Sequence, residues 1–79
     1  MQLLMDFPAT DAAWNAAFDA DAENRANAGL TLLQMWRGAD DVGAVTCLFE
    51  VANRDRAQAW LDTSAALGRP GVARFLTTA

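Results

Sequence analysis

The chain contains no histidine, and this absence excludes several kinds of site. A Ser-His-Asp triad, a histidine metal site and a proximal histidine for haem all require an imidazole, so one subunit cannot build any of them. Tyrosine is absent as well. No glycine spacing cradles a phosphate, because the glycines fall at the ends of predicted elements. We therefore expect neither a metal nor an organic cofactor.

Cysteine is almost absent too, since Cys47 is the single thiol and no internal disulfide is possible. No cation accompanies Cys47 in the pattern, which favours an inert buried thiol over a nucleophile. This cysteine usage fits a reducing compartment, and we expect a cytoplasmic protein. We expect no secretory leader, because Met5 is followed at once by Asp6 and Pro8. No apolar stretch approaches the roughly 18 residues of a membrane span, so no membrane partner is expected.

Basic residues are scarce, with 6 against 10 acidic residues and a net charge of −4. Without a basic run the chain lacks the electrostatic footprint of nucleic-acid binding, and we expect no nucleic-acid partner. In one interpretation, Arg25, Arg54 and Arg56 bind a partner. In the other, these side chains only keep the helix surfaces in contact with water, as isolated charges usually do.

What the chain does have is the composition of one small globular domain, residues 1–79. Hydrophobic residues make up 53% and prolines number 2, which excludes a disordered tail. At this length only about 60% of the unfolded surface is buried on folding. The core is therefore near the lower limit for a domain that stands alone, and we expect a partner or a second copy.

The first half of the chain predicts a strand, a helix and a strand. Residues 2–7 alternate, and Pro8 ends that strand. Residues 11–27 form an Ala-rich helix with Thr10 as its cap, an apolar stripe that includes Trp14 and Phe18, and a stop at Gly29. Residues 30–37 are too short and too rich in large apolar side chains for another helix, so they predict a second strand.

The second half predicts a strand, a helix and a strand again. A turn at residues 38–41 leads into a strand over residues 43–51. Asn53 caps a helix over residues 54–67, whose inward stripe includes Trp60, and Gly68 ends it with Pro70 just beyond. Residues 72–77 form the last strand. The order βαββαβ predicts an α+β fold of the ferredoxin-like type, a four-stranded antiparallel sheet with two helices on one face.

Several features of the chain together resemble one known group of proteins. They are the element order, the length, Trp36 and Arg37 before a Gly-Ala-Asp-Asp turn, and the run LFEVANRDRAQAWL. The chain resembles the dimeric α/β-barrel proteins, which include antibiotic-biosynthesis-monooxygenase-like, muconolactone-isomerase-like and stress-responsive families. The resemblance covers nearly the whole chain. It implies a homodimer that binds a small organic molecule. Members that depend on a histidine have a chemistry that this chain cannot provide.

The two faces of the predicted sheet differ in character. One face is wholly apolar and suits the helices; its members are Leu3, Met5, Leu33, Met35, Val45, Cys47, Phe49 and Val51. The other face mixes Leu4, Leu32, Trp36 and Leu48 with Gln2, Asp6, Gln34, Thr46, Glu50 and Arg74. This second face is too apolar for open water and predicts a homodimer that packs through it.

The mixed face also supplies the candidate site residues. Asp6 and Glu50 are candidate catalytic bases, and the competing interpretation places them at a wet rim or in pairs with arginines. Trp36 either stacks on an aromatic substrate or packs in the interface. Gln34 and Thr46 bond either a ligand or the second subunit. Leu48 and Arg74 complete the predicted substrate-binding set.

Three functional hypotheses follow from these residues. The first is a homodimeric barrel that binds a hydrophobic small molecule, as a cofactor-independent monooxygenase or isomerase. The second is a non-catalytic structural or regulatory dimerisation module. The third is a hetero-oligomer in which a different protein covers the mixed face, and composition does not separate it from self-pairing.

Overall fold

A computed structural model describes residues 1–64 and 72–79 of the chain. It has an α+β fold in which a four-stranded antiparallel sheet is combined with three helices. In chain order the elements are β1 (Gln2–Phe7), α1 (Ala12–Ala20), α2 (Ala22–Asn27), β2 (Leu30–Arg37), β3 (Val45–Val51), α3 (Arg54–Ser64) and β4 (Val72–Leu76).

The sheet has the strand order β2-β3-β1-β4, so β1 and β3 are its central strands. The helical segment between β1 and β2 therefore carries the chain across β3, and the segment between β3 and β4 carries it across β1. Each neighbouring pair is antiparallel. This arrangement is compatible with the predicted ferredoxin-like fold.

The core lies between the two central strands and the helices. Its fully buried large side chains are Leu3, Met5, Val45, Cys47 and Phe49. Strand β1 alternates between buried and half-buried residues along its whole length, as its sequence predicts. Trp14, Phe18, Trp60, Leu61 and Phe75 pack against the core from outside. The apolar face predicted for the central strands is thus confirmed.

The predicted first helix is two helices, which corrects the expectation of two helices in all. Asp21 has left the helical conformation, with φ −88° and ψ 4°, and its backbone N–H donates to the carbonyls of both Ala17 and Phe18. The Arg25 side chain then donates to the carbonyl of Phe18 at 2.5 Å and lies 3.8 Å from the centre of the Phe18 ring. This side-chain contact across seven residues accompanies the break in the Ala-rich run.

The helix ends also differ in part from the prediction. Asp11, not Thr10, caps α1, because its carboxylate accepts from the backbone N–H of Trp14 at 2.8 Å. The Thr10 hydroxyl instead donates to the carbonyl of Gly43, which holds the start of α1 against the loop before β3. The predicted Asn53 cap is confirmed by its bond from the Arg56 N–H.

Strand β2 contains a bulge that corrects the predicted faces of its residues. Leu32 pairs with Phe49, and the next pair joins Gln34 to Leu48, so Leu33 is an extra residue without an opposite partner. Leu32 therefore lies on the helix-facing side rather than on the mixed face. The alternation predicts Leu33 and Met35 in the core, yet they are 51% and 36% exposed, and β2 is an edge strand of the sheet.

The remaining boundaries agree within two residues. Strand β3 begins at Val45 rather than at residue 43, and β4 ends at Leu76 rather than at residue 77. Gly29 follows α2 with φ +76°, the left-handed conformation that a helix stop by glycine requires. The predicted ends of the last helix at Gly68 and Pro70 lie outside the described residues.

Candidate functional site on the open sheet face

The sheet face away from the helices consists of three rows that run across the strands. We call it the open face. Directly opposite residues in antiparallel strands project to the same side, so the register defines each row. In the order β2, β3, β1, β4 the rows are Thr31-Glu50-Gln2-Leu76, Gln34-Leu48-Leu4-Arg74 and Trp36-Thr46-Asp6-Val72.

All seven predicted site residues lie on the open face, and together they occupy all three of its rows. Trp36, Thr46 and Asp6 are neighbours in one row, and Gln34 and Leu48 are neighbours in the next. Arg74 stands opposite Leu4 in that second row, so the register places it on this face. Glu50 lies two residues along β3 from Leu48 and is separated from Asp6 by the middle row.

Asp6 is the better oriented of the two candidate bases. The Thr46 hydroxyl donates to Asp6 Oδ1 at 2.5 Å, and both side chains are half-buried. This bond orients the carboxylate, and no other hydrogen bond to the Asp6 side chain occurs among residues 1–64 and 72–79. Its second oxygen therefore remains available to a proton donor on the open face.

Glu50 is engaged within the chain. Its carboxylate accepts a hydrogen bond from the Gln2 amide at 2.9 Å and lies 3.6 Å from the N-terminal ammonium. The Gln2 hydrogen bond, helped by the N-terminal charge, lowers the pKa of Glu50. A carboxylate stabilised in this way is a weaker base, so the geometry favours Asp6 over Glu50 for proton abstraction.

Large apolar side chains occupy the middle and the edges of the open face. Leu4 and Leu48 face each other across the central strands and are half-buried. At opposite edges of the neighbouring row, Trp36 is 46% exposed and Val72 is 50% exposed. Together these side chains form apolar surface on the open face, beside the polar residues of the same rows.

A concave feature lies on the other side of the molecule, between α2 and α3. It is a cleft of about 460 Å³. The Trp60 indole N–H donates to Asp21 Oδ2 at 2.9 Å, and the Asn24 amide donates to Asp21 Oδ1 at 2.7 Å. Arg56 crosses from α3 and donates to the carbonyl of Asn27. We call this feature the interhelical cleft.

The interhelical cleft is not among the features that the sequence predicts. The periodicity places Asp21 inside a continuous helix, and Arg56 as an isolated charge predicts either a partner contact or a solvated helix surface. The structure also corrects Arg25, which is 7% exposed rather than solvated. The spacing of Asp21, Asn24 and Ala28 at i, i+3 and i+7 is a usable signal, since it puts polar and small residues on one helix side.

No family model, curated protein or solved structure matches this chain. No helix among the described residues has the length and apolar character needed to cross a bilayer.

Cys47 provides a pH-dependent prediction. The side chain is fully buried, and this burial raises the pKa of the thiol from 9.0 to about 11, although Arg25 acts in the opposite direction. A raised pKa means that the native state keeps its proton where the unfolded chain has lost it. The thiol's contribution to stability is therefore complete below pH 9.0 and is lost as the pH rises to about 11.

We expect the Cys47 thiol to resist a thiol reagent at pH 8 in the native protein and to react fully in denaturant. Urea unfolding of the wild type and of Cys47→Ala should show a stability difference that shrinks between pH 9 and pH 11. Rapid modification of the native thiol, or a pH-independent difference, contradicts this burial.

Proposed function

We propose that this chain is a homodimerisation module of ferredoxin-like topology in which two copies pack through their open faces. The observation that carries the proposal is the exposed apolar pair Trp36 and Val72, at the ends of the row next to the central Leu4 and Leu48. Burying this surface would supply the apolar contacts that a 79-residue chain has difficulty supplying alone. The resemblance to dimeric α/β-barrel proteins supports the same arrangement.

Charge selects the relative orientation of the two copies. Two stacked faces are related by a two-fold axis that lies in the plane between them. An axis parallel to the strands sets β3 over β1 of the second copy and β2 over β4 of the second copy. Leu48 then faces Leu4, Trp36 faces Val72, and Gln34 faces Arg74. An axis across the strands instead places Arg74 over its own copy, which brings like charges together.

The proposed dimer should be of modest strength. The four strands lie about 4.8 Å apart and rise about 3.3 Å per residue. Over about six residues each, they give a projected footprint of roughly 400 Å². A standard stable interface buries about 800 Å² of accessible surface per partner. The corrugation of side chains increases the contact, but we still expect a dimer that dissociates on dilution.

The experiment that tests the module is the mass in solution by light scattering across a dilution series. We expect a dimer for the wild type, and at least about tenfold weaker association for Leu48→Glu, because the change buries a charge in the centre of the interface. The matched control is Val42→Glu, since Val42 is 72% exposed on the loop before β3 and lies off the open face. A folded wild-type monomer at all concentrations would refute the proposal.

The orientation has its own test in paired charge variants at Gln34. With the axis along the strands, Gln34→Glu faces Arg74 of the second copy and should tighten the dimer about two- to fivefold, whereas Gln34→Arg should weaken it. With the axis across the strands, Gln34 faces itself, and both variants should weaken the dimer. Dimer dissociation constants at low and high salt distinguish the two arrangements.

The Thr46–Asp6 hydrogen bond favours a second candidate function, the binding of a hydrophobic small molecule at the same face. Asp6 Oδ1 is held at 2.5 Å by Thr46, and Trp36 stands in the same row. A flat substrate with an acidic C–H or O–H would stack on Trp36, and a hydrogen bond with Gln34 would orient it. Its proton would then pass to Asp6. Such a proton transfer suits an isomerase or a cofactor-independent monooxygenase.

We expect 1-naphthol to quench the tryptophan fluorescence of the wild-type protein if this second candidate is correct. Trp36→Ala should remove the binding and leave the dimer intact, while Trp36→Phe should retain most of the binding because the aromatic platform remains. Loss of the dimer in Trp36→Ala would assign Trp36 to interface packing instead.

A further inference from the structure

The interhelical cleft presents two opposite charges that do not neutralise each other. Asp21 closes one side of the cleft and Arg56 lies on another. No carboxylate lies within 4.0 Å of the Arg56 guanidinium among residues 1–64 and 72–79. One N–H of the Arg56 guanidinium donates to the carbonyl of Asn27. The other N–H groups of this guanidinium remain for a ligand.

The Asp21 carboxylate is oriented by two donors from different helices. Trp60 Nε1 donates to one oxygen and the Asn24 amide to the other. An ionised carboxylate accepts about four hydrogen bonds, so each oxygen has a lone pair left for a further donor. Arg25 lies within electrostatic range of Asp21, and a ligand ammonium group would add N–H donors at the remaining lone pairs.

The rest of the lining is apolar or neutral. Trp60 is half-buried, and its ring lies 6.3 Å from the ring of Phe49, so this contact holds the indole against the core. Ala28 and Ala59 contribute methyl groups, and Thr63 contributes a hydroxyl that donates to the carbonyl of Ala59. A volume of about 460 Å³ is within the range of small-molecule sites.

We propose that the interhelical cleft binds a free α-amino acid with an apolar side chain. The carboxylate of the amino acid pairs with Arg56, its ammonium group pairs with Asp21, and its side chain lies against Trp60 and Ala59. A ligand that lacks either charge loses one of these two ion pairs, and its remaining charge lies near a like charge of the protein. This mismatch gives the site its preference for the zwitterion.

Titration with L-phenylalanine tests the proposal, followed by the indole N–H resonance of Trp60 in NMR spectra. The comparison ligands are phenethylamine, which lacks the carboxylate, and 3-phenylpropionate, which lacks the ammonium group. We expect saturable binding of L-phenylalanine with a dissociation constant at or below about 1 mM, and at least about tenfold weaker binding of both analogues.

Two arginine variants on the same helix separate a binding role from a general charge effect. Arg56→Gln should weaken L-phenylalanine binding at least about tenfold, whereas Arg54→Gln removes the same charge outside the cleft and should leave binding unchanged. Absence of binding at about 10 mM, equal binding of the analogues, or an equal loss in Arg54→Gln would overturn the proposal. Binding should persist in Leu48→Glu, because the cleft does not depend on the open face.

Discussion

The pairing of β1 with β3 is the constraint on which the rest of the structure depends. These two strands are the centre of the sheet, and their inward residues are the fully buried large side chains of the protein. The helices among the described residues pack on one face of this pair, and the opposite face is the open one. The open face therefore follows from the strand order and from the side on which these helices lie.

The central strands were predictable because their signal is local. Side chains alternate with a period of two, so an alternating sequence specifies both the strand and the face of each residue. This rule assigned Leu3, Cys47 and Phe49 to the core and Asp6 and Thr46 to the open face. It failed for Leu32, because a bulge adds one residue and reverses the alternation that precedes it.

The position of the helix break and the α3 side of the interhelical cleft were not predictable, whereas the spacing of Asp21, Asn24 and Ala28 signals only the α2 side of the cleft. Asp21 stands in an Ala-rich run with the periodicity of one helix, and its partner Trp60 is 39 positions away. The sequence predicts a surface charge at Arg25, yet its guanidinium donates a hydrogen bond to the Phe18 carbonyl. Local propensity predicts which segments are helical, whereas long-range packing determines where the first one stops.

The two proposed surfaces differ in what makes them complete. The interhelical cleft is formed within one chain, since Trp60 and Asp21 already bond each other across the helices. Among residues 1–64 and 72–79 no element covers the open face, so a second molecule would bury its apolar residues. The proposed amino-acid binding would therefore depend on ligand concentration, and the proposed dimer would depend on protein concentration. A small fold can keep two recognition surfaces independent in this way, because the buried side of β1 and β3 separates them.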